Sequence, residues 1–130
     1  MIILDSSYFI GLIDQRDKWH KNAVNLKDYI DKEKKIVTDL IISEVLTVIG
    51  KRKGGKEGHI LYQYFKDNCK ILFSSEECID NAEIIYLKFN GKLSLADSLS
   101  IHYMNDLSIH TIVSFDSDFD KVDNIMRVSE

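Results

Sequence analysis

Four acids stand where an α/β chain could bring them together. Asp5 ends the apolar run Met1-Ile2-Ile3-Leu4, Glu44 lies in Ser43-Glu44-Val45, Asp97 in Leu95-Ala96-Asp97-Ser98, and Asp116 follows Val113-Ser114-Phe115. A buried strand is built of apolar residues, so an acid at its carboxyl end marks the point where the chain leaves the core. Open α/β sheets bind their ligands there. If the four carboxylates converge, they make a cage of hard oxygen donors, which Mg²⁺ and Mn²⁺ prefer to imidazole or thiolate.

Each acid also has a plainer reading. Asp5 is placed to cap the first helix by accepting an orphan backbone N–H, and Asp97 can be the acidic member of a capping box with Ser94. With 21 acids in the chain, one after each of several strands does not by itself make a site. Glu44 is harder to assign to solvent. On a helical projection Ile42, Val45, Leu46 and Ile49 share one face, while Glu44 points nearly opposite, in line with Leu40 and Val48. That pattern implies a second covered surface, either a site or a subunit contact. Asp116 and Asp118 sit among turn formers, and the flanking Phe115 and Phe119 point to a loop anchored in the body of the protein.

Other chemistries find less support. His20, His59, His102 and His110 are scattered, and Cys69 and Cys78 form neither a CxxC pair nor a zinc spacing, so both cysteines read as reduced packing residues of a cytoplasmic protein. Ser6 and Ser7 lack the nucleophile elbow of serine hydrolases. No acid stands at position 7, as an aspartyl-phosphate phosphatase would require, and no Gly-Lys-Ser/Thr phosphate loop is present.

The elements that must position the acids follow from periodicity and caps. Ile2 to Leu4 reads as a buried strand, with Asp5-Ser6-Ser7 leading into a helix through Tyr8 and Ile13. Trp19, Ala23, Leu26 and Ile30 recur at helical spacing. Lys35 to Thr38 is a strand, and Thr38 or Asp39 can cap a helix running from about Leu40 to Lys51. Gly50 to Gly58 reads as a glycine-rich basic loop, followed by a helix near Glu57 to Asp67. Then come a strand Lys70 to Phe73, a helix Glu76 to Phe89, a helix opened by Ser94 and running to about Asn105, a strand Thr111 to Val113, and an edge strand around Ile125 to Val128. Strands alternating with helices predict a parallel sheet covered on both faces.

At 130 residues the chain is most simply one domain, 1–130. Its hydrophobic content of 45% and charged content of 29% are those of a globular protein. No stretch suits a signal peptide or a bilayer span, so no membrane partner is expected. A net charge of −4 argues against broad attraction to nucleic acid, but not against a nucleic-acid enzyme whose acidic site is offset by bound cations.

Taken in order, Ile3-Leu4-Asp5-Ser6-Ser7, Ile42-Ser43-Glu44-Val45-Leu46, Leu93-Ser94-Leu95-Ala96-Asp97-Ser98 and Ser114-Phe115-Asp116-Ser117-Asp118-Phe119, with Trp19-His20 and Ala23 between the first two, make the whole chain resemble a PIN domain. Within that superfamily it is similar to the compact VapC-type toxin ribonucleases. The resemblance implies a three-layer α/β/α PIN-like fold with a central parallel sheet, usually as a homodimer. It aligns Asp5, Glu44, Asp97 and Asp116 with the family's acidic quartet, and Ser6 and Ser114 with its accessory hydroxyls. It further implies Mg²⁺- or Mn²⁺-dependent cleavage of RNA, with Asp5, Asp97 and Asp116 holding a metal, Glu44 positioning water or joining a second ion, and a cognate antitoxin blocking the site. Asp118 is an accessory acid that orients a water or caps the next turn. Lys51, Arg52, Lys53 and Lys56 are candidates for binding RNA phosphates. A PIN nuclease of RNA processing without an antitoxin, or a non-catalytic metal-binding domain, are the competing readings.

Overall fold

The computed structural model describes residues 1–130. In chain order its elements are β1 (Ile2–Leu4), α1 (Ser6–Ile13), α2 (His20–Asp31), β2 (Lys35–Thr38), α3 (Asp39–Lys53), α4 (Gly55–Asn68), β3 (Lys70–Leu72), α5 (Glu76–Lys88), α6 (Leu95–Leu107), β4 (Thr111–Val113), a 3₁₀ turn (Ser117–Lys121) and β5 (Met126–Val128). The strands form one five-stranded sheet in the order β3-β2-β1-β4-β5. Every pairing is parallel, and Ile3 registers with Ile36 on one side and Ile112 on the other.

Side chains alternate across a strand, and here both faces are apolar. Ile2, Leu4, Val37 and Val113 pack with Phe9, Ile41, Val45 and Phe65 from α1, α3 and α4. Ile3, Ile36 and Ile112 point the other way, against Ala82, Leu99, Met104 and Phe119. Two cores on one sheet give the three-layer α/β/α arrangement. Each buried side chain of this size contributes on the order of 1.5–3 kcal/mol, and that burial holds strands of only three or four residues in place.

The strand order reverses at β1. From β1 the chain steps outward to β2 and β3, then returns through α5 and α6 to lay β4 against the free side of β1. Crossovers that depart in opposite directions leave a crevice at the carboxyl ends of the two central strands. Asp5 follows β1 at that point, and Ser114, Phe115 and Asp116 follow β4.

Two expected boundaries move. The basic loop over Gly50 to Gly58 is not a loop: α3 continues through Lys53, α4 begins at Gly55, and Gly54 alone makes the turn at φ +96° and ψ 164°. Lysine and arginine are good helix formers, and Lys51, Arg52 and Lys53 complement the negative end of the α3 dipole. A single residue without a Cβ is then enough to reverse direction. Phe73 falls outside β3 and is 73% exposed.

Candidate active site

Asp5 occupies the N-cap position of α1 but makes no capping hydrogen bond with its side chain. Its Oδ2 instead accepts from the Ser7 hydroxyl at 2.8 Å and the Ser114 hydroxyl at 2.7 Å. The capping reading of this residue is therefore replaced by a tertiary one. Asp5 is 3% exposed, and its Oδ1 is buried without a partner. An unpaired buried oxygen of this kind is costly, and a cation would satisfy it.

Ser114 and Ser7 tie Asp5 to the loop after β4. The Ser114 hydroxyl accepts the Asp116 N–H at 3.0 Å, and the Ser7 hydroxyl accepts the Phe115 N–H at 2.9 Å. Phe115 is buried and stacks on Trp19 with centroids 5.2 Å apart, and Phe119 is fully buried, so the loop is anchored as its aromatics imply. Sequence reasoning did not place Ser7 in the site. Its one signal was a second hydroxyl two residues after a strand-end acid.

Glu44 is half-buried on α3 and accepts a short hydrogen bond from the Ser6 hydroxyl. The covered surface inferred for it is thus the side facing the start of α1. Asp97 opens α6, and its capping reading holds. The Ser94 hydroxyl accepts the Asp97 N–H at 3.0 Å, while the Ser94 N–H reaches Asp97 Oδ2 at 3.3 Å, completing the capping box. Burial, the neighbouring Asp5 charge and, more weakly, Glu44 push the Asp97 carboxyl up to about 8, against the lowering effect of its Ser94 hydrogen bonds. Asp5, after β1, and Glu44 on α3 are both within electrostatic reach of Asp97 on α6.

Asp116 is linked to Asp5 through its backbone N–H, which donates to the Ser114 hydroxyl. Its Oδ1 accepts the Asp118 N–H at 2.9 Å and caps the 3₁₀ turn. Asp118 points elsewhere, pairing with Lys121 at 2.9 Å. Arg127 closes this loop from β5, donating to both Asp120 oxygens at 2.9 and 3.0 Å and to the Ser114 carbonyl at 3.2 Å.

The donors are carboxylate oxygens, and the orphaned Asp5 Oδ1 lies beside an acid that burial and charge hold toward its protonated form. By chemistry the set fits Mg²⁺ or Mn²⁺. No three acids are drawn tightly enough together to make a ready-made ligand shell.

The basic residues are not part of this cluster. Arg52 donates to Asp14 at 3.0 Å and Asp17 at 3.2 Å, pinning the α1–α2 connection to the end of α3. The Arg16 backbone N–H, and then the Arg52 guanidinium, hold the Asp14 carboxyl below its ordinary value. A concavity of about 490 Å³ lined by Asp14, Gln15, Arg16, Arg52 and Lys53 lies there, at the end of α1 remote from Asp5. Lys51, Lys53 and Lys56 are exposed. His20 is occupied by the Gly11 carbonyl at 2.7 Å, and both cysteines are free.

The PIN domain family profile matches residues 2–125, and the chain belongs to that family. Among curated proteins none matches significantly. The fold is similar to that of VapC20 from Mycobacterium tuberculosis, a Sarcin-Ricin loop cleaving toxin, with a TM-score of 0.85 and 17% identity over 96% of this chain and 97% of that one. It is also similar to a chain of VapBC2 from Rickettsia felis, solved bound to a DNA fragment from the promoter, with a TM-score of 0.69 and 14% identity over 98% of each chain. FitAcB from Neisseria gonorrhoeae gives a TM-score of 0.67 and 14% identity over 98% of this chain and 96% of that one.

Proposed function

We propose that the chain is a metal-dependent endoribonuclease, the toxin of a toxin–antitoxin pair, hydrolysing RNA phosphodiester bonds at Asp5, Glu44, Asp97 and Asp116. The observation that carries this reading is the buried, unpartnered Asp5 Oδ1 beside Asp97 at the strand-order switch point. Membership of the PIN family and the likeness to an RNA-cleaving toxin support it. When bound, a divalent cation supplies polarisation of the phosphate and a lowered pKa for its water. Asp5, Asp97 and Asp116 hold that charge, with the hydroxyls of Ser7 and Ser114 fixing Asp5. Glu44, oriented by Ser6, positions the attacking water. Direct attack by water leaves a 5′-phosphate and a 3′-hydroxyl.

The VapBC2 and FitAcB folds support a cognate antitoxin as the inhibiting partner. The apolar side chains of Phe73, Ile84 and Leu87, all more than half exposed, support a homodimer.

The test is cleavage of total RNA with Mg²⁺ or Mn²⁺, mapping the new 5′-phosphate ends. Asp5→Asn, Asp97→Asn and Asp116→Asn keep side-chain shape but remove ligand charge. Each is expected to lose about 100-fold in rate, about 2.7 kcal/mol of transition-state stabilisation. Wild-type rates in all three folded variants would remove the mechanism. A nuclease with no small co-purifying partner would instead belong to RNA processing or decay.

A further inference from the structure

The hydrogen atoms around Asp5 can be counted. A serine hydroxyl has one hydrogen to donate and two lone pairs to accept. Ser7 accepts the Phe115 N–H and Ser114 accepts the Asp116 N–H, at 2.9 and 3.0 Å. Both hydroxyls also lie within 2.8 Å of the same oxygen, Asp5 Oδ2, which has no hydrogen of its own to give when ionised. Each therefore donates its single hydrogen there, and the 3.3 Å approach of Ser7 Oγ to Ser114 Oγ is left without a hydrogen between them. Oδ2 is fully occupied. Oδ1, buried and unpartnered, is the one Asp5 oxygen free to take a ligand.

We infer that Ser7 is a positioning residue: its hydroxyl locks the Asp5 carboxylate so that Oδ1 alone faces the site, and bonds it to the loop that carries Asp116. Ser114 performs half of this task from within the β4 loop itself. Ser7 is the member that reaches across, because it comes from α1 and accepts a backbone N–H from the β4 loop. Removing its hydroxyl leaves Asp5 free to rotate about the remaining Ser114 hydrogen bond and leaves the Phe115 N–H without its acceptor. Two oxygens of Asp5 then compete for the place of one, and the spacing between Asp5 and Asp116 loosens. Groups that orient a metal ligand in this way typically change metal affinity or activity by about 10–100-fold when removed.

The inference rests on the nuclease reading, and one experiment separates the two. Mn²⁺ is titrated into the purified full-length wild type, Ser7→Ala and Ser7→Thr proteins and followed by electron paramagnetic resonance, with cleavage of a defined RNA measured alongside. Alanine is well tolerated in the first turn of a helix, and threonine keeps the hydroxyl. Ser7→Ala is expected to bind Mn²⁺ about tenfold more weakly and to lose kcat with an unchanged KM for RNA, whereas Ser7→Thr recovers both. Unchanged Mn²⁺ affinity in Ser7→Ala, or a Ser7→Thr protein as impaired as Ser7→Ala, would overturn the positioning role while leaving the nuclease standing. A wild-type protein that neither binds Mn²⁺ nor cleaves RNA would overturn both.

Discussion

Asp116 and Asp118 share one loop and one chemistry, yet their surroundings divide the labour between them. Asp116 uses Oδ1 to cap the 3₁₀ turn and is tied to Asp5 through Ser114, whereas Asp118 is turned outward to Lys121. An exposed pair of that kind contributes little to stability. Asp116→Asn still accepts the Asp118 N–H through its amide oxygen, so the turn survives while the ligand charge is removed. We expect single-turnover cleavage to fall about 100-fold in Asp116→Asn and to be only modestly slowed by Asp118→Asn. The reverse ranking would show that the loop presents its second acid to the site. The family resemblance favoured Asp116, which also comes sooner after β4. The Lys121 partner that occupies Asp118 was not legible, since an ion pair three residues apart depends on the turn that forms.

At the scale of elements, the end of α3 carries two kinds of cation. Arg52 is committed to Asp14 and Asp17, while Lys51, Lys53 and Lys56 have no ion-pair partner. These three lysines, placed on helix ends that one glycine joins, form a rigid basic edge instead of the flexible loop expected from glycine content. Changing all three to glutamine should weaken RNA binding and flatten its salt dependence by about 0.7 in log–log slope for each phosphate no longer neutralised. Arg52→Gln should leave that slope unchanged and lower thermal stability by freeing the α1–α2 connection. An unaltered slope in the triple variant would assign the lysines to the helix dipole alone. The helix itself was readable from its Thr38 cap and apolar spacing, but its length was not. Glycines at positions 50, 54, 55 and 58 look alike in sequence, and only Gly54 adopts a positive φ.

For the whole molecule, the packing that builds the site also strains it. Asp97 ionises near pH 3.8 when unfolded, but burial and the Asp5 charge raise it to about 8 in the folded protein. Between those values the native state binds more protons than the unfolded one, so stability falls as pH rises. Its contribution is intact below about pH 4 and fully lost above about pH 8. Metal-free protein should therefore melt progressively lower across this window, and Asp97→Asn should flatten the dependence. Millimolar Mg²⁺ or Mn²⁺ should flatten it as well, because a bound cation offsets the charge and stabilises the native state by mass action. Melting curves at several pH values, with and without cation, check this. A pH profile that Asp97→Asn leaves unchanged would mean the carboxyl is not the source.

Alternation, caps and turn residues are local, and they made most of the helices and strands and the Ser94–Asp97 capping box legible in the sequence, whereas the four acids were grouped only by the family resemblance. Strand order is not local. Nothing in Thr111-Ile112-Val113 distinguishes a neighbour of β1 from a neighbour of β3, because any buried parallel strand needs the same apolar residues. The return of β4 to the side of β1 brings Ser114 within reach of Asp5, 109 residues away in the chain. It also turns Asp5 from a helix cap into an acceptor shared by the Ser7 and Ser114 hydroxyls. Hydrogen bonds between such distant residues exist only once two cores have closed on the sheet, so the tertiary structure decided that Asp5 meets Ser114 and Glu44 meets Ser6.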